Sequence, residues 1–236
     1  MRRQIRNDPL KSNFEVLQKR QEAISANIAN VNTNGYQEKK LFQSTLKNVQ
    51  LHNFMGGLKN EQRVDVGNFT FGNQIDGSYL NTQSGSMHET DLKTDFAING
   101  AGYFTVRMNN GQIGYTRNGN FTENRQGQLV TQEGYAVLGA NGQAIQANEA
   151  NPNFMIVSFN NASALQNQGN TIYTSNTAGT QIRSEVVQGV LEGSNTDTAQ
   201  NMVDLIQTSR EFEANQKVLS TANQTLSKAV NELGKI

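Results

Sequence analysis

From Leu10 onward the apolar positions Leu10, Phe14, Leu17, Ile24, Ile28 and Val31, with Gln21 as the one polar interruption, advance in alternating steps of four and three residues. That spacing stacks side chains along one face of an α-helix. Asp8-Pro9 supplies the start, with an N-cap oxygen followed by a proline whose missing N–H is harmless at the first helical position. Asn32-Thr33-Asn34-Gly35 supplies the stop, because Asn and Gly tolerate the left-handed backbone that closes a helix. The C-terminal end repeats the pattern: Met202, Leu205, Ser209, Phe212, Gln216, Leu219, Asn223, Leu226, Val230 and Leu233 step by three and four. Leu205, Phe212, Leu219, Leu226 and Leu233 hold one heptad position, and Ser209, Gln216 and Asn223 hold its companion. Polar residues at such sites lower stability but fix register and partner. The seams are too sparse to order helices of this length in isolation, so each end is expected to fold against partner helices, from its own and neighbouring chains.

Between the ends the period changes to two. Phe96-Ala97-Ile98 and Tyr103-Phe104-Thr105-Val106 flank Asn99-Gly100-Ala101-Gly102, which reads as strand, hairpin turn, strand. Asn110-Gly111, Asn118-Gly119, Gln126-Gly127, Glu133-Gly134 and Asn141-Gly142 then punctuate the chain, predicting antiparallel hairpins or a meander. Phe154–Phe159 is a further strand. Residues 41–95 are expected to be an irregular connector, with β pieces at Asn68–Phe71 and Ser78–Leu80.

An amide stripe runs beside the first seam. Asn27, Asn30 and Asn34 lie three and four residues apart next to Ile24, Ile28 and Val31. Side-chain hydrogen bonds from these amides to a neighbouring helix, with Ser209, Gln216 and Asn223 as candidate partners, would select one register. A slipped neighbour leaves amides buried and unsatisfied.

Composition narrows the chemistry. Asn and Gln make up about a quarter of the 236 residues, and twenty basic against twenty acidic residues leave no net charge to draw in nucleic acid or an anionic membrane. Without cysteine there is no thiol nucleophile, disulfide or Cys-ligated metal. No apolar run follows Arg2, Arg3 and Arg6 to make a secretory signal, and no segment approaches the roughly 18 apolar residues of a membrane span. His52 and His88 lack metal-ligand spacing. Glu89, Asp91 and Asp95 read as a solvated acidic turn beside Lys93 rather than as a hydrolytic carboxylate pair. "NGAGYF" lacks the dinucleotide spacing and leads into β-prone residues.

Three stretches, in order, resemble the bacterial flagellar basal-body rod and hook protein family, most closely its distal-rod type: "SANIANVNTNGYQEKKLFQ" (Ser25–Gln43), "TDLKTDFAINGAGYFTV" (Thr90–Val106) and "GVLEGSNTDTAQNMVDLIQTSREFEANQKVLSTANQTL" (Gly189–Leu226). The resemblance implies an α+β fold in which long N- and C-terminal helices form a coiled-coil-like stem around an inserted antiparallel β domain. It divides the chain into an N-terminal helix and cap (1–40), a connector (41–89), a central β domain (90–190) and a C-terminal helix (191–236). The implied function is non-enzymatic: an axial subunit that polymerises into the shaft carrying torque to hook and filament. Partners would be further copies of the chain, other rod and hook proteins, the export apparatus through which it leaves the cell, and surrounding ring proteins, with no cofactor, nucleic acid or membrane insertion. The expected assembly interface is Leu17, Ile24, Asn27, Ile28, Asn30, Val31, Gly35, Tyr36, Leu205, Ser209, Phe212, Gln216, Leu219, Asn223 and Leu226. Two other readings stay open, a different single-module rod or hook-basal-body protein of the same family and a fibre-type carbohydrate-binding protein.

Overall fold

The computed structural model describes residues 8–45, 48–54, 63–70, 73–149, 151–160 and 165–233. The side chains of Leu10, His52, Leu226 and Leu233 and the residues Arg2, Arg3 and Arg6 lie outside that description. The chain is α+β. Helices α1 (Asp8–Ala29) and α2 (Thr198–Leu233) bracket the strands β1 (Lys39–Thr45), β2 (Asn48–Phe54), β3 (Arg63–Thr70), β4 (Asn73–Leu80), β5 (Met87–Glu89), β6 (Phe96–Asn99), β7 (Tyr103–Arg107), β8 (Ile113–Thr116), β9 (Thr122–Glu123), β10 (Leu129–Val130), β11 (Ala136–Val137), β12 (Ile156–Ser158), β13 (Leu165–Gly169), β14 (Ile172–Ser175), β15 (Thr180–Ile182), β16 (Glu185–Gln188) and β17 (Val190–Glu192). They form two compact units, one made of Met1–Ser25, Leu41–Ser78 and Met202–Ile236, the other of Ala26–Lys40 and Tyr79–Asn201.

In the first unit, α1 buries Val16, Leu17, Ala23 and Ile24. Phe14 meets Phe212 edge-on with ring centres 5.1 Å apart, and Arg20 lies 3.7 Å from Glu211. On α2, Thr208 is fully buried, while Leu205, Phe212, Asn215 and Leu219 are half-buried. The expected companion row is thereby displaced. Gln216 and Asn223 are exposed, as is Gln21 of α1, and Met202 and Val230 stand 51% and 68% exposed. Leu205, Phe212 and Leu219 fit the three-and-four spacing with either flanking row, and both rows are polar, so hydrophobicity alone does not choose between Thr208–Asn215 and Ser209–Gln216. The expected irregular connector also proves to be largely strand. β2 and β3 form an antiparallel ladder from Asn48↔Thr70 to Phe54↔Arg63 with a bulge at Leu51/His52, and β1 pairs with β4. The β2–β3 pairing is an antiparallel backbone ladder.

The second unit is built around β7, whose neighbours are β8, β11 and β12. The sheet continues through β14 to β13 on one side and through β10 to β9 on the other, and β12 also pairs β15. Alternation along β7 serves two cores. Phe104 and Val106 join Phe96, Ile98, Phe121, Leu129, Val137, Ile145, Phe154 and Ile156. Tyr103, on the opposite face, joins Leu165 and Tyr173. Phe104 packs edge-on against both Phe121 and Phe154, with ring centres 5.2 and 5.1 Å away, a geometry aromatic quadrupoles favour.

The expected hairpin across Asn99–Gly102 is not formed. β6 pairs with β16, from Asn99↔Glu185 to Phe96↔Gln188, and β5 pairs with β17. Two successive positive φ glycines, Gly100 at 120° and Gly102 at 114°, swing the chain from one sheet to another rather than back along itself. Gly111, Gly127, Gly134 and Gly142 do sit in turns with positive φ, as their spacing predicts. Gly119 does not: a Cβ there would fall 1.6 Å from the Phe96 carbonyl oxygen, so its glycine serves close backbone approach.

Candidate assembly interface

The amide stripe is used within the chain. Asn27, 2% exposed, accepts at Oδ1 from the Tyr36 hydroxyl (3.1 Å) and the Lys39 N–H (3.0 Å), and its Nδ2 donates to the Lys39 carbonyl (3.1 Å) and Asn201 Oδ1 (3.2 Å). All four contacts lie in the second unit, where the end of α1 turns into the segment leading to β1. Asn30 donates to the Ala26 carbonyl one turn back (2.8 Å) and accepts from Thr33 Oγ1 (3.2 Å). Within the second unit Asn27 is thus satisfied by Tyr36, Lys39 and Asn201, and Asn30 by its own turn, where a short amide side chain reaches the backbone one turn back.

Gly35 shows why the turn needs glycine. Its φ is +66°, and a Cβ would lie 2.2 Å from the Asn118 backbone nitrogen. Its N–H donates to the Glu192 carbonyl at 2.7 Å. From there the N-terminal segment is tied to the stretch that follows β17. Asn195 N–H donates to the Tyr36 carbonyl (3.2 Å), Glu38 N–H donates to Asn195 Oδ1 (2.7 Å), and Asn201 Nδ2 donates to Glu38 Oε1 (3.0 Å). The Asn195 amide also donates to the carbonyls of Asn81 and Gln83, each at 2.7 Å.

Arg117 anchors this region. Its Nε donates to Glu192 Oε2 (2.8 Å), its Nη1 to the carbonyls of Gly100 (2.8 Å) and Gly102 (2.7 Å), and its Nη2 to Ser84 Oγ (3.1 Å), with Nη2 also 2.7 Å from Glu192 Oε2 in an ion pair. All three guanidinium nitrogens are thus engaged. Glu192 Oε1 accepts from the Gly85 N–H at 3.0 Å. Burial pushes the Glu192 carboxyl up from its ordinary value, against the opposing pull of Arg117 and the Gly85 N–H. Tyr103 donates to Gln37 Oε1 at 2.7 Å. Burial raises the phenols of Tyr36, Tyr103 and Tyr173, the last most of all.

The residues expected at the interface therefore fall into three groups. Asn27, Gly35 and Tyr36 belong to this internal polar cluster. Leu17 and Ile24 are buried, and Ile28, Asn30, Val31, Leu205, Ser209, Phe212 and Leu219 are half-buried. Gln216 and Asn223 are open to solvent, and the Leu226 side chain lies outside the described residues. Met202, Val203, Ile206 and Val218 are apolar and each more than half exposed, and of these the seam reading used only Met202. Val218 stands four residues from each of Ala214 and Ala222, apart from the group at the start of α2. Glu38, Arg117, Glu192, Asn195 and Asn201 were also missed, although Glu192, Asn195 and Asn201 sit inside the "GVLEGSNTDTAQN" stretch that carries the third resemblance.

The acidic and histidine residues singled out in the sequence divide between surface and interior. Glu89 and Asp91 are exposed, but Asp95 is 2% exposed and paired by its backbone with Asn120, so the acidic turn is not uniformly solvated. His88 is exposed, with Nε2 2.9 Å from Ser86 Oγ. Among the described residues no helix is long and apolar enough to cross a membrane.

Three family profiles match the chain in order: flagella basal body rod protein over residues 16–37, the flagellar hook protein FlgE/F/G D1 domain over residues 97–163, and the flagellar basal body rod FlgEFG protein C-terminal region over residues 187–232. The chain is similar to the flagellar basal-body rod protein FlgG of Buchnera aphidicola subsp. Acyrthosiphon pisum, 29% identical with 92% of this chain and 95% of that protein covered. It is 30% identical to FlgF of Caulobacter vibrioides, with 93% and 94% covered, and 30% identical to FlgG of Agrobacterium fabrum, with 87% and 90% covered. With both ends and the β unit matched in sequence order, the chain belongs to the flagellar basal-body rod protein family.

Proposed function

We propose that this chain is a structural, axial subunit of the flagellar basal-body rod, of the distal-rod type, polymerising into the shaft that carries torque to the hook and filament. The observation that carries the reading is the full-length similarity to rod proteins, which spans both terminal helices as well as the β unit. Its action is mechanical rather than catalytic: copies joined head to tail by a heterologous interface build an open tube.

In this reading the terminal helices form a coiled-coil-like stem, and the segments 1–40 and 191–236 carry assembly, with the connector 41–89 and the β domain 90–190 inserted between them in the sequence. Leu17, Ile24, Ile28, Val31, Leu205, Phe212, Leu219 and Leu226 supply the seam. Asn30, Ser209, Gln216 and Asn223 set its register, and Asn27, Gly35 and Tyr36 shape the cap. Met202, Val203 and Ile206 near the start of α2, and Val218 farther along it, are surface that neighbouring copies cover, since exposed apolar side chains on a long helix favour association. Other rod and hook proteins adjoin the two ends of the stack, ring proteins surround it, and the flagellar export apparatus delivers each subunit outside the cytoplasm. Electron microscopy of basal bodies from a strain lacking this protein tests the reading. A truncated rod without a hook is expected, and a complete rod and hook would overturn it.

A further inference from the structure

The two ends of the chain meet the β unit through each other. Five hydrogen bonds join the segment 27–38 to the segment 192–201: Gly35 N–H to the Glu192 carbonyl, Asn195 N–H to the Tyr36 carbonyl, Glu38 N–H to Asn195 Oδ1, Asn201 Nδ2 to Glu38 Oε1 and Asn27 Nδ2 to Asn201 Oδ1. Three of them involve a side chain and two join backbone to backbone, and polar groups freed from such bonds turn to water. The C-terminal segment is itself seated by Arg117 on Glu192, and the residues just before it, in β16 and β17, pair with β6 and β5.

From this arrangement we infer that the two ends close as one cooperative latch, with Asn195 as the shared pin. Asn195 bonds in both directions: Oδ1 and N–H hold Glu38 and Tyr36, while Nδ2 holds the carbonyls of Asn81 and Gln83. Losing the C-terminal segment removes the acceptor for Gly35 N–H and the donor to Glu38, and losing the N-terminal segment leaves Asn195 only its bonds to the Asn81 and Gln83 carbonyls and the Asn201 amide only its bond to the Asp197 carbonyl. A chain with one end undocked therefore does not seat the other. The consequence for assembly rests on the rod-subunit reading: the surfaces at both ends become available together, so a half-closed subunit presents no competent interface.

The latch is tested apart from assembly, by amide hydrogen exchange read by mass spectrometry on the full chain as a dilute monomer. Asn195→Ala is expected to speed exchange of residues 192–201 and, by at least about tenfold, that of Gly35–Glu38. Asn27→Ala, which perturbs the other side, is expected to speed exchange at 192–201 as well, because coupling between two sites is reciprocal. β7 and β8 should exchange as in the unaltered chain. Acceleration confined to the altered segment in either variant would overturn the latch. Equal acceleration through β7 and β8 would overturn it too, since the coupling would then belong to the whole unit rather than to its two ends. Failure of these measurements leaves the rod-subunit reading standing, and an intact rod in the deletion strain leaves the latch standing.

Discussion

The guanidinium of Arg117 and the carboxylate of Glu192 meet at 2.7 Å with both side chains 3% exposed, joining the bend after β8 to the end of β17. Such a pair is a poor source of net stability, because desolvation offsets much of the attraction, but an orphaned partner is costly.

Arg117→Met is therefore expected to lower unfolding free energy by about 3–5 kcal/mol, since it strands Glu192 as well as the carbonyls of Gly100 and Gly102. The double variant Arg117→Met/Glu192→Met should recover much of that loss. Urea denaturation followed by circular dichroism reads both, and a double variant as unstable as the sum of its singles contradicts the account.

Glycine at 35 and at 111 makes a paired test. Both have positive φ, but a Cβ at Gly35 strikes backbone while at Gly111 it meets open space. Gly111→Ala should cost about 1 kcal/mol from backbone strain alone. Gly35→Ala should cost several times as much, because the Asn118 backbone must move. Equal shifts in melting temperature would refute the distinction.

Substitutions on α2 separate folding from assembly. Gln216 and Val218 are both exposed, so Gln216→Leu and Val218→Asp should change monomer stability by no more than about 0.5 kcal/mol. Each should impair rod formation, the first by loosening register and the second by placing a charge in a neighbour's contact. Unaltered motility and rod length in both strains would remove these residues from the interface.

Tyr36, Tyr103 and Tyr173 give the stability an alkaline limit. Burial, first of all, raises each phenol above its ordinary value. In the unfolded chain these groups ionise near pH about 10, whereas in the folded chain they hold their protons longer. Their contribution is complete below that pH and is lost as pH rises through the folded values. The melting temperature should fall above about pH 10, and tyrosinate absorbance from these three rings should appear only with unfolding.

The periodicity of the sequence located both helices, the strands β6, β7 and β12 and the positive φ turns, because each depends on spacing that one short segment carries. What it did not reveal depends on long-range choice. Leu205 and Phe212 fit two polar rows equally well, and only packing selects Thr208 over Ser209. The Gly100–Gly102 turn looks like a hairpin until β16, more than eighty residues later, takes the place opposite β6. Asn27 was legible as a polar residue beside an apolar seam. Its partners were not, since Asn201 lies 174 residues away and a run of amides gives no sign of which one is buried.

Because the Arg117 side chain fastens Ser84, Gly100, Gly102 and Glu192 at one point, a pull on any of those segments is shared by the others at once. Bonds loaded together in this way give way together, at higher force than a ladder that peels rung by rung. A subunit that must bear twisting without creeping gains stiffness from one buried rivet, at a place where a larger greasy core would let strands slide.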